Sequence, residues 1–319
     1  MLRLFVVLLL AVHAVPAQPV VVGTGPAKPF PIRIAPGQVT YIYARIDKTV
    51  PNVKAEGYPL PLTLGGVSLW IGTRAGEPVR RMPLFSVEPV YPCDGVPPPP
   101  DCSPLAAVRF QVPFEFLTVD YPEGEGIEFG RIWIEVDGKR GAPISFFLPR
   151  SNAEFVTLCR GFVPAYAFSG VCPPALLHAD GTPTWRRWPL PRPGEVLTFY
   201  AYGLGLPNPW PTGKFPTSGE PAPPSTESWN FLGIGPLRFV LDFRANARPS
   251  RLPGPRSSTL LIEPLYAGPV PGLVGLYQVN FRLPEPPVPL TPCTEVESNV
   301  TISFAASSLG IPFCMQTEP

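Results

Sequence analysis

Setting aside an N-terminal leader, the chain keeps one histidine, His178, and any Ser-His-Asp or Cys-His arrangement would have to use it. It stands two residues before the turn dipeptide Asp180-Gly181, and no Gly-x-Ser-x-Gly element precedes a helical pattern. It therefore reads as a surface turn histidine without a catalytic role. Zinc lacks its usual ligands, because one histidine and cysteines committed to disulfides do not make a set of four. Gly203-Leu-Gly205 lacks the third glycine, the lysine and the following helix of a phosphate loop. It reads as a strand end where the backbone needs positive φ. Glu123, Glu125 and Glu128 are close enough in sequence to suggest the carboxylate pair of a glycosidase. Interleaved with glycines after Tyr121-Pro122, they read more naturally as a solvated loop. Asp94-Gly95, Asp137-Gly138 and Asp180-Gly181 are turn dipeptides, not a calcium loop with acids at alternating positions. No catalytic residue, cofactor or metal site is assigned, and the expectation is a protein without enzymatic activity.

Aromatic residues are the remaining feature with binding chemistry. Trp185 and Trp188 flank Arg186-Arg187, Trp210 sits in a long Pro/Gly/Ser-rich excursion over 206–224, and Trp229 follows it. Loop tryptophans can stack on sugar rings or anchor a protein partner, so these four are the candidate ligand contacts. The competing and favoured role is to cover the ends of the sheets. Asn299-Val-Thr301 has the form of a glycosylation sequon but opens a predicted strand, and is discounted.

The elements that must carry these residues follow from the leader, the cysteines and the apolar pattern. Arg3 precedes an apolar run from Leu4 to Val12, and Val15-Pro16-Ala17 offers small residues for a signal peptidase. The run falls short of the roughly 20 apolar residues of a spanning helix, so residues 1–17 read as a signal peptide, with Ala14 as a competing cleavage site. A secreted location follows, whether extracellular, cell-surface or periplasmic. Loss of Arg3 leaves 24 basic against 24 acidic residues. That balance lacks the basic excess of a nucleic-acid binder. The expected partner is an extracellular protein or a polysaccharide.

Six cysteines form three near-neighbour pairs: Cys93 with Cys102, Cys159 with Cys172, and Cys293 with Cys314. None has Cys-x-x-Cys spacing, and an even count in an exported chain reads as disulfides. Nearest-neighbour pairing is expected because each pair brackets a plausible loop, and each bridge would contribute about 3 kcal/mol.

Fifty prolines and 29 glycines in 319 residues exclude long helices, while 45% apolar content argues against disorder. The strand signal is period two. Ile132, Ile134 and Val136 face one way while Arg131, Glu135 and Asp137 face the other. Phe239, Leu241 and Phe243 repeat the pattern, as do Val300, Ile302 and Phe304. These are half-buried strands of antiparallel sheets.

Several short strings recur in the same order. Pro36-Gly-Gln-Val39 returns as Pro193-Gly-Glu-Val196, and Glu88-Pro-Val-Tyr91 as Glu263-Pro-Leu-Tyr266. Phe110-Gln-Val-Pro-Phe114 returns as Tyr277-Gln-Val-Asn-Phe281, and Gly141-Ala-Pro143 as Gly310-Ile-Pro312. The fold class is therefore all-β, with two tandem immunoglobulin-like β-sandwiches from an internal repeat. The domains are drawn as residues 18–150, a disulfide-tied connector hairpin over 151–191, and residues 192–319.

His178-Ala-Asp-Gly181, Pro193-Gly-Glu195, Tyr200-Ala-Tyr-Gly-Leu-Gly205 and Pro271-Gly-Leu-Val-Gly-Leu-Tyr-Gln-Val-Asn280 carry a family resemblance. Ile34-Ala-Pro-Gly37, Pro61-Leu-Thr-Leu-Gly-Gly-Val67 and Phe110-Gln-Val-Pro113 extend it over most of the mature chain. With these strings in this order, the chain resembles an uncharacterised bacterial family of exported β-rich C-terminal domains. The resemblance implies export and immunoglobulin-like sandwiches similar to the IPT/TIG type, and it implies no catalytic residues.

Overall fold

The computed structural model describes residues 18–24, 32–72, 78–93, 101–118, 128–149, 151–156, 175–184, 189–205, 217–224, 228–231, 235–247, 257–304 and 310–316. Regular structure among them is β, apart from one 3₁₀ turn over Phe114–Thr118. The predicted leader lies outside the described residues.

The first half contributes β1 (Val20–Thr24), β2 (Ile32–Arg33), β3 (Val39–Arg45), β4 (Val53–Lys54), β5 (Val67–Gly72) and β6 (Pro78–Arg81). It continues with β7 (Leu84–Val90), β8 (Leu105–Gln111), β9 (Glu128–Val136), β10 (Lys139–Arg140) and β11 (Ile144–Leu148). These pair as two sheets, ordered β1-β3-β8-β7-β4 and β2-β11-β9-β5-β6, with β10 on β9. The pairings are antiparallel except that of β2 with β11. Both sheets feed one core: Ile42, Val108 and Phe110 from the first sheet meet Leu69, Ile132, Ile134 and Phe146 from the second. Each fully buried side chain of this size stabilises by about 1.5–3 kcal/mol. Asp137 and Gly138 both take positive φ, 48° and 79°, in the two-residue loop that joins β9 to β10. That is the turn expected of an Asp-Gly pair.

The second half contributes β12 (Glu154–Phe155), β13 (Leu176–His178), β14 (Val196–Tyr202), β15 (Asn230–Phe231), β16 (Gly235–Pro236) and β17 (Phe239–Asp242). It ends with β18 (Thr259–Ile262), β19 (Tyr266–Pro269), β20 (Leu276–Arg282), β21 (Val300–Ser303) and β22 (Gly310–Phe313). One sheet runs β12-β14-β20-β19 with β13 also on β14, another runs β18-β17-β21-β22, and β15 pairs with β16. Their inward residues form a second core rich in aromatic rings. Phe199 sits at its centre, with ring centroids 5.4 Å from Phe155, 5.7 Å from Phe239, 5.9 Å from Phe304 and 6.1 Å from Phe281.

The centre of the predicted connector hairpin, 157–174, lies outside the described residues. The strands that flank it, β12 and β13, are both antiparallel to β14 and run in the same direction along one edge of it. A small hairpin follows, in which Thr184 N donates to the Leu176 carbonyl at 2.9 Å around the Asp180-Gly181 turn. Two of the predicted disulfides are present, Cys93 with Cys102 and Cys293 with Cys314. Such bonds belong to an oxidising compartment. Cys159 and Cys172 lie outside the described residues. Among the described residues no helix is long and apolar enough to cross a membrane.

The halves are joined by a polar seam that the sequence patterns did not suggest. Ser218 and Gly219 reach across: Gly219 N donates to Gln111 Oε1 at 2.7 Å, Leu60 N donates to the Gly219 carbonyl at 2.9 Å, and Phe114 N donates to Ser218 Oγ at 2.8 Å. Ser218 N in turn donates to Glu115 Oε1 at 3.0 Å. On the other side Asn152 Nδ2 donates to the Arg33 carbonyl at 2.9 Å and to Gln38 Oε1 at 3.1 Å. Gln38 and Gln111 are fully buried; Gln38 Oε1 accepts from Ala35 N as well as from Asn152, while Gln38 Nε2 has no partner among the described residues. The end of the 206–224 excursion thus acts as an interlock, whereas 206–216 lie outside the described residues.

Candidate functional site

His178 is the last residue of β13 and is only 8% exposed, so the expected surface histidine is in fact buried. Its Nδ1 bonds the Glu195 carboxylate, and its Nε2 faces the Pro189 carbonyl oxygen at 2.9 Å. The other Glu195 oxygen accepts from Arg192 N at 3.0 Å, and Arg192 Nε donates to Gln316 Oε1 at 2.7 Å. An open pocket of ≈ 350 Å³ lies here, lined among others by Asp180, Thr182, Leu190 and Arg192. Both ring nitrogens are engaged by protein acceptors, so neither is placed to take a proton from a bound substrate. What the cluster does is tie the turn after β13 to the start of β14 and to the C-terminal segment.

Asp180, at the rim of this pocket, accepts from Thr182 N at 2.9 Å and from Thr182 Oγ1 at 2.7 Å. These two bonds, the backbone one first, hold its carboxyl below the ordinary aspartate range. Because the folded value is depressed, the turn gains stability at neutral pH that is lost as pH falls through the folded value. Side-chain carboxyl NMR is expected to show an Asp180 midpoint below that of a model peptide, rising in Thr182→Val. A wild-type midpoint at or above the peptide value would contradict this geometry.

The other sequence candidates separate clearly. Trp185, Trp188 and Trp210 lie outside the described residues, as do Glu123 and Glu125. Glu128 opens β9, and its side chain is outside them too. Trp229 is 6% exposed, belongs to the second core and meets Tyr277 edge-on at 6.2 Å, so its position does not suit ligand contact. Gly203 and Gly205 take positive φ of 71° and 100°, as a strand end required. A side chain at Gly203 would stand 2.4 Å from the Asn152 carbonyl oxygen. The amide of Asn299 is used internally, with Nδ2 donating to the Met315 carbonyl at 3.0 Å and Oδ1 accepting from Met315 N at 2.8 Å, which agrees with discounting the sequon. Among the described residues no group of three or more His, Cys, Asp or Glu could hold a metal ion.

The structure instead gathers a surface that the loop tryptophans did not predict, on the outward face of the β2-β11-β9-β5-β6 sheet. Leu69, Ile71, Ile132 and Ile134 point into the core, so Trp70, Arg131, Trp133 and Glu135 point away from it. Trp70 lies directly across from Trp133 on one side and Arg81 on the other. The Arg81 guanidinium sits 4.6 Å from the Trp70 ring centroid and that of Arg140 sits 5.0 Å from it, a doubled cation–π contact. Arg140 also donates to Glu135 Oε2 at 3.0 Å. At the far edge Arg33 lies over Phe147 at 6.0 Å. Among the described residues the Trp70 indole N–H has no acceptor, and packing and the two guanidiniums set the ring's place.

No protein-family model matches the chain, and no curated protein matches it. The signal for this face was present in Ser68-Leu-Trp-Ile-Gly72 and Arg131-Ile-Trp-Ile-Glu135, where each tryptophan alternates with core residues. Only the strand register could place the two on neighbouring strands and bring Arg81 and Arg140 to them.

Proposed function

We propose that the protein is an exported, non-catalytic module that binds a partner outside the cell or at its surface, built from two tandem immunoglobulin-like sandwiches. The observation that carries binding is the outward arginine–tryptophan face on the second sheet of the first half. Charged side chains ordered on a rigid sheet suit recognition, since little freedom remains to be lost on contact. The absence of catalysis is argued from His178, whose ring nitrogens are both engaged, and from the disulfide-bonded cysteines.

The tandem reading is supported by strand order. Taking β3, β5, β6, β7, β8, β9 and β11 with β14, β17, β18, β19, β20, β21 and β22 matches the two halves in sequence order. The neighbours β3-β8-β7 then answer to β14-β20-β19, and β6-β5-β9-β11 to β18-β17-β21-β22. Each half has its own core fed by two sheets, as a sandwich requires. The domains are drawn as 18–150 and 192–319, and the segment 151–191 joins the second unit through β12 and β13. Residues 1–17 are the proposed signal peptide, and membership of the exported β-rich bacterial family is part of the same reading.

Binding of the purified protein to arrays of glycans and extracellular proteins is the test, run beside hydrolysis assays with glycoside, ester and peptide substrates. The expected result is retention on at least one array class without turnover, and an N-terminus at Gln18 after secretion. Turnover that disappears in Glu128→Gln would overturn the reading.

A further inference from the structure

We propose that the outward face of the β2-β11-β9-β5-β6 sheet docks an acidic polysaccharide, with Arg81 and Arg140, ordered against Trp70, engaging its carboxylate or sulfate groups. The inference rests on the binding-module reading above and names the partner class.

Charge is the first argument. Along the outward rows the described residues present Arg33, Arg81, Arg131 and Arg140 against Glu135 and, in the turn that ends the β9 row, Asp137, whose charge is paired with Lys48. The whole chain carries 25 basic and 24 acidic residues, so this excess is local and not a reflection of composition. A face of one sign attracts a polymer of the other and raises its local concentration.

Order is the second. A free arginine side chain has many rotamers to lose on contact, and part of that freedom is already lost where the guanidinium lies on an indole ring. Stacking engages the flat face of the guanidinium and leaves N–H groups at its edge for a paired, charge-assisted contact with carboxylate or sulfate. Arg81 makes the cation–π contact with Trp70 and is exposed, while Arg140 is held by both Trp70 and Glu135.

Spacing is the third. Neighbouring strands lie about 4.8 Å apart, so Arg81 on β6 and Arg140 on β10 leave the sheet on either side of β5 and β9, yet both guanidiniums converge on the Trp70 ring, where a polymer crossing β5 meets the two together. The same geometry disfavours single-stranded nucleic acid, which takes much of its affinity from bases stacked on free aromatic rings. Here the Trp70 ring is already occupied by cations, and Trp133 is only 5% exposed.

The test measures binding of the full chain to immobilised heparin, polygalacturonate, neutral dextran, poly-glutamate and single-stranded DNA. The proposal expects binding to heparin and polygalacturonate that weakens as salt rises. It expects a loss of about tenfold or more in the double variant Arg81→Gln/Arg140→Gln. Arg238→Gln, at an exposed arginine paired with Glu263 in the other half, should bind as wild type. Unchanged melting temperatures show that the variants are folded. The proposal is overturned by equal binding to dextran, by insensitivity to the double variant, or by DNA or poly-glutamate binding with the same arginine dependence. If no acidic glycan binds while another array class is retained, only the partner class fails. If nothing is retained on any surface, the binding-module reading fails with it.

Discussion

Replacing Phe199 with alanine destabilises the second half by about 3–5 kcal/mol, because a large aromatic ring is removed from a packed core. The ring is fully buried and within aromatic contact distance of four others, contributed by three strands and by Phe304 just beyond β21. Those neighbours stand on opposite sheets, so relaxation of one sheet cannot close the void. Trp229 belongs to the same core, which makes its fluorescence a local reporter during urea unfolding. The transition seen there should move to lower urea, whereas Phe199→Leu should recover much of the loss. A shift equivalent to less than about 1 kcal/mol would mean that the ring is not packed as described.

Gly275→Val should cost about 2–5 kcal/mol, combining overpacking with the strain of a β-branched residue in a left-handed conformation. Gly275 has φ of 68° just before β20, and an added Cβ would stand 2.6 Å from the Gly37 carbonyl oxygen and 2.7 Å from Val39 Cγ2. Both neighbours belong to the first half, so the clash falls on the seam rather than inside either core. The expected result is a looser pairing of the halves, read as a larger radius of gyration in small-angle scattering and faster proteolysis near Ser218. Gly275→Ala should show the same changes more weakly. Wild-type scattering and stability for Gly275→Val would contradict the close approach at this seam.

Period-two alternation made the strand cores legible: all nine residues in the three patterns led by Ile132, Phe239 and Val300 are buried. Local chemistry was equally legible at the Asp137-Gly138 hairpin and at two disulfides, because each depends on residues close in sequence. What depended on distant residues was not. His178 sits beside an Asp-Gly turn, yet its burial comes from Glu195 and Pro189 folding back over it. Trp229 reads as a loop residue until Tyr277 of β20 is brought against it.

The recurring strings show the same division. With Val39 set against Val196, the ladders pair those residues with Gln111 and Arg282. The string match instead sets Gln111 against Gln278, four residues away. An even displacement keeps inward residues inward, so short apolar strings match at several registers and only hydrogen bonding chooses among them. The polar seam left a fainter trace, in Gln38 and Gln111 standing where apolar neighbours set the pattern. The arginine–tryptophan face was not read from the sequence: alternation put Arg131 and Glu135 outward, but nothing in the chain order singled out Trp133 between them or joined it to Trp70, Arg81 and Arg140.

The central claim, binding without chemistry, is tested most directly by incubating the purified protein with polygalacturonate and following polymer mass by light scattering alongside retention of protein on the polymer. Retention with polymer mass unchanged after long incubation is the predicted result. Shortening of the polymer that is abolished in Glu128→Gln would contradict it.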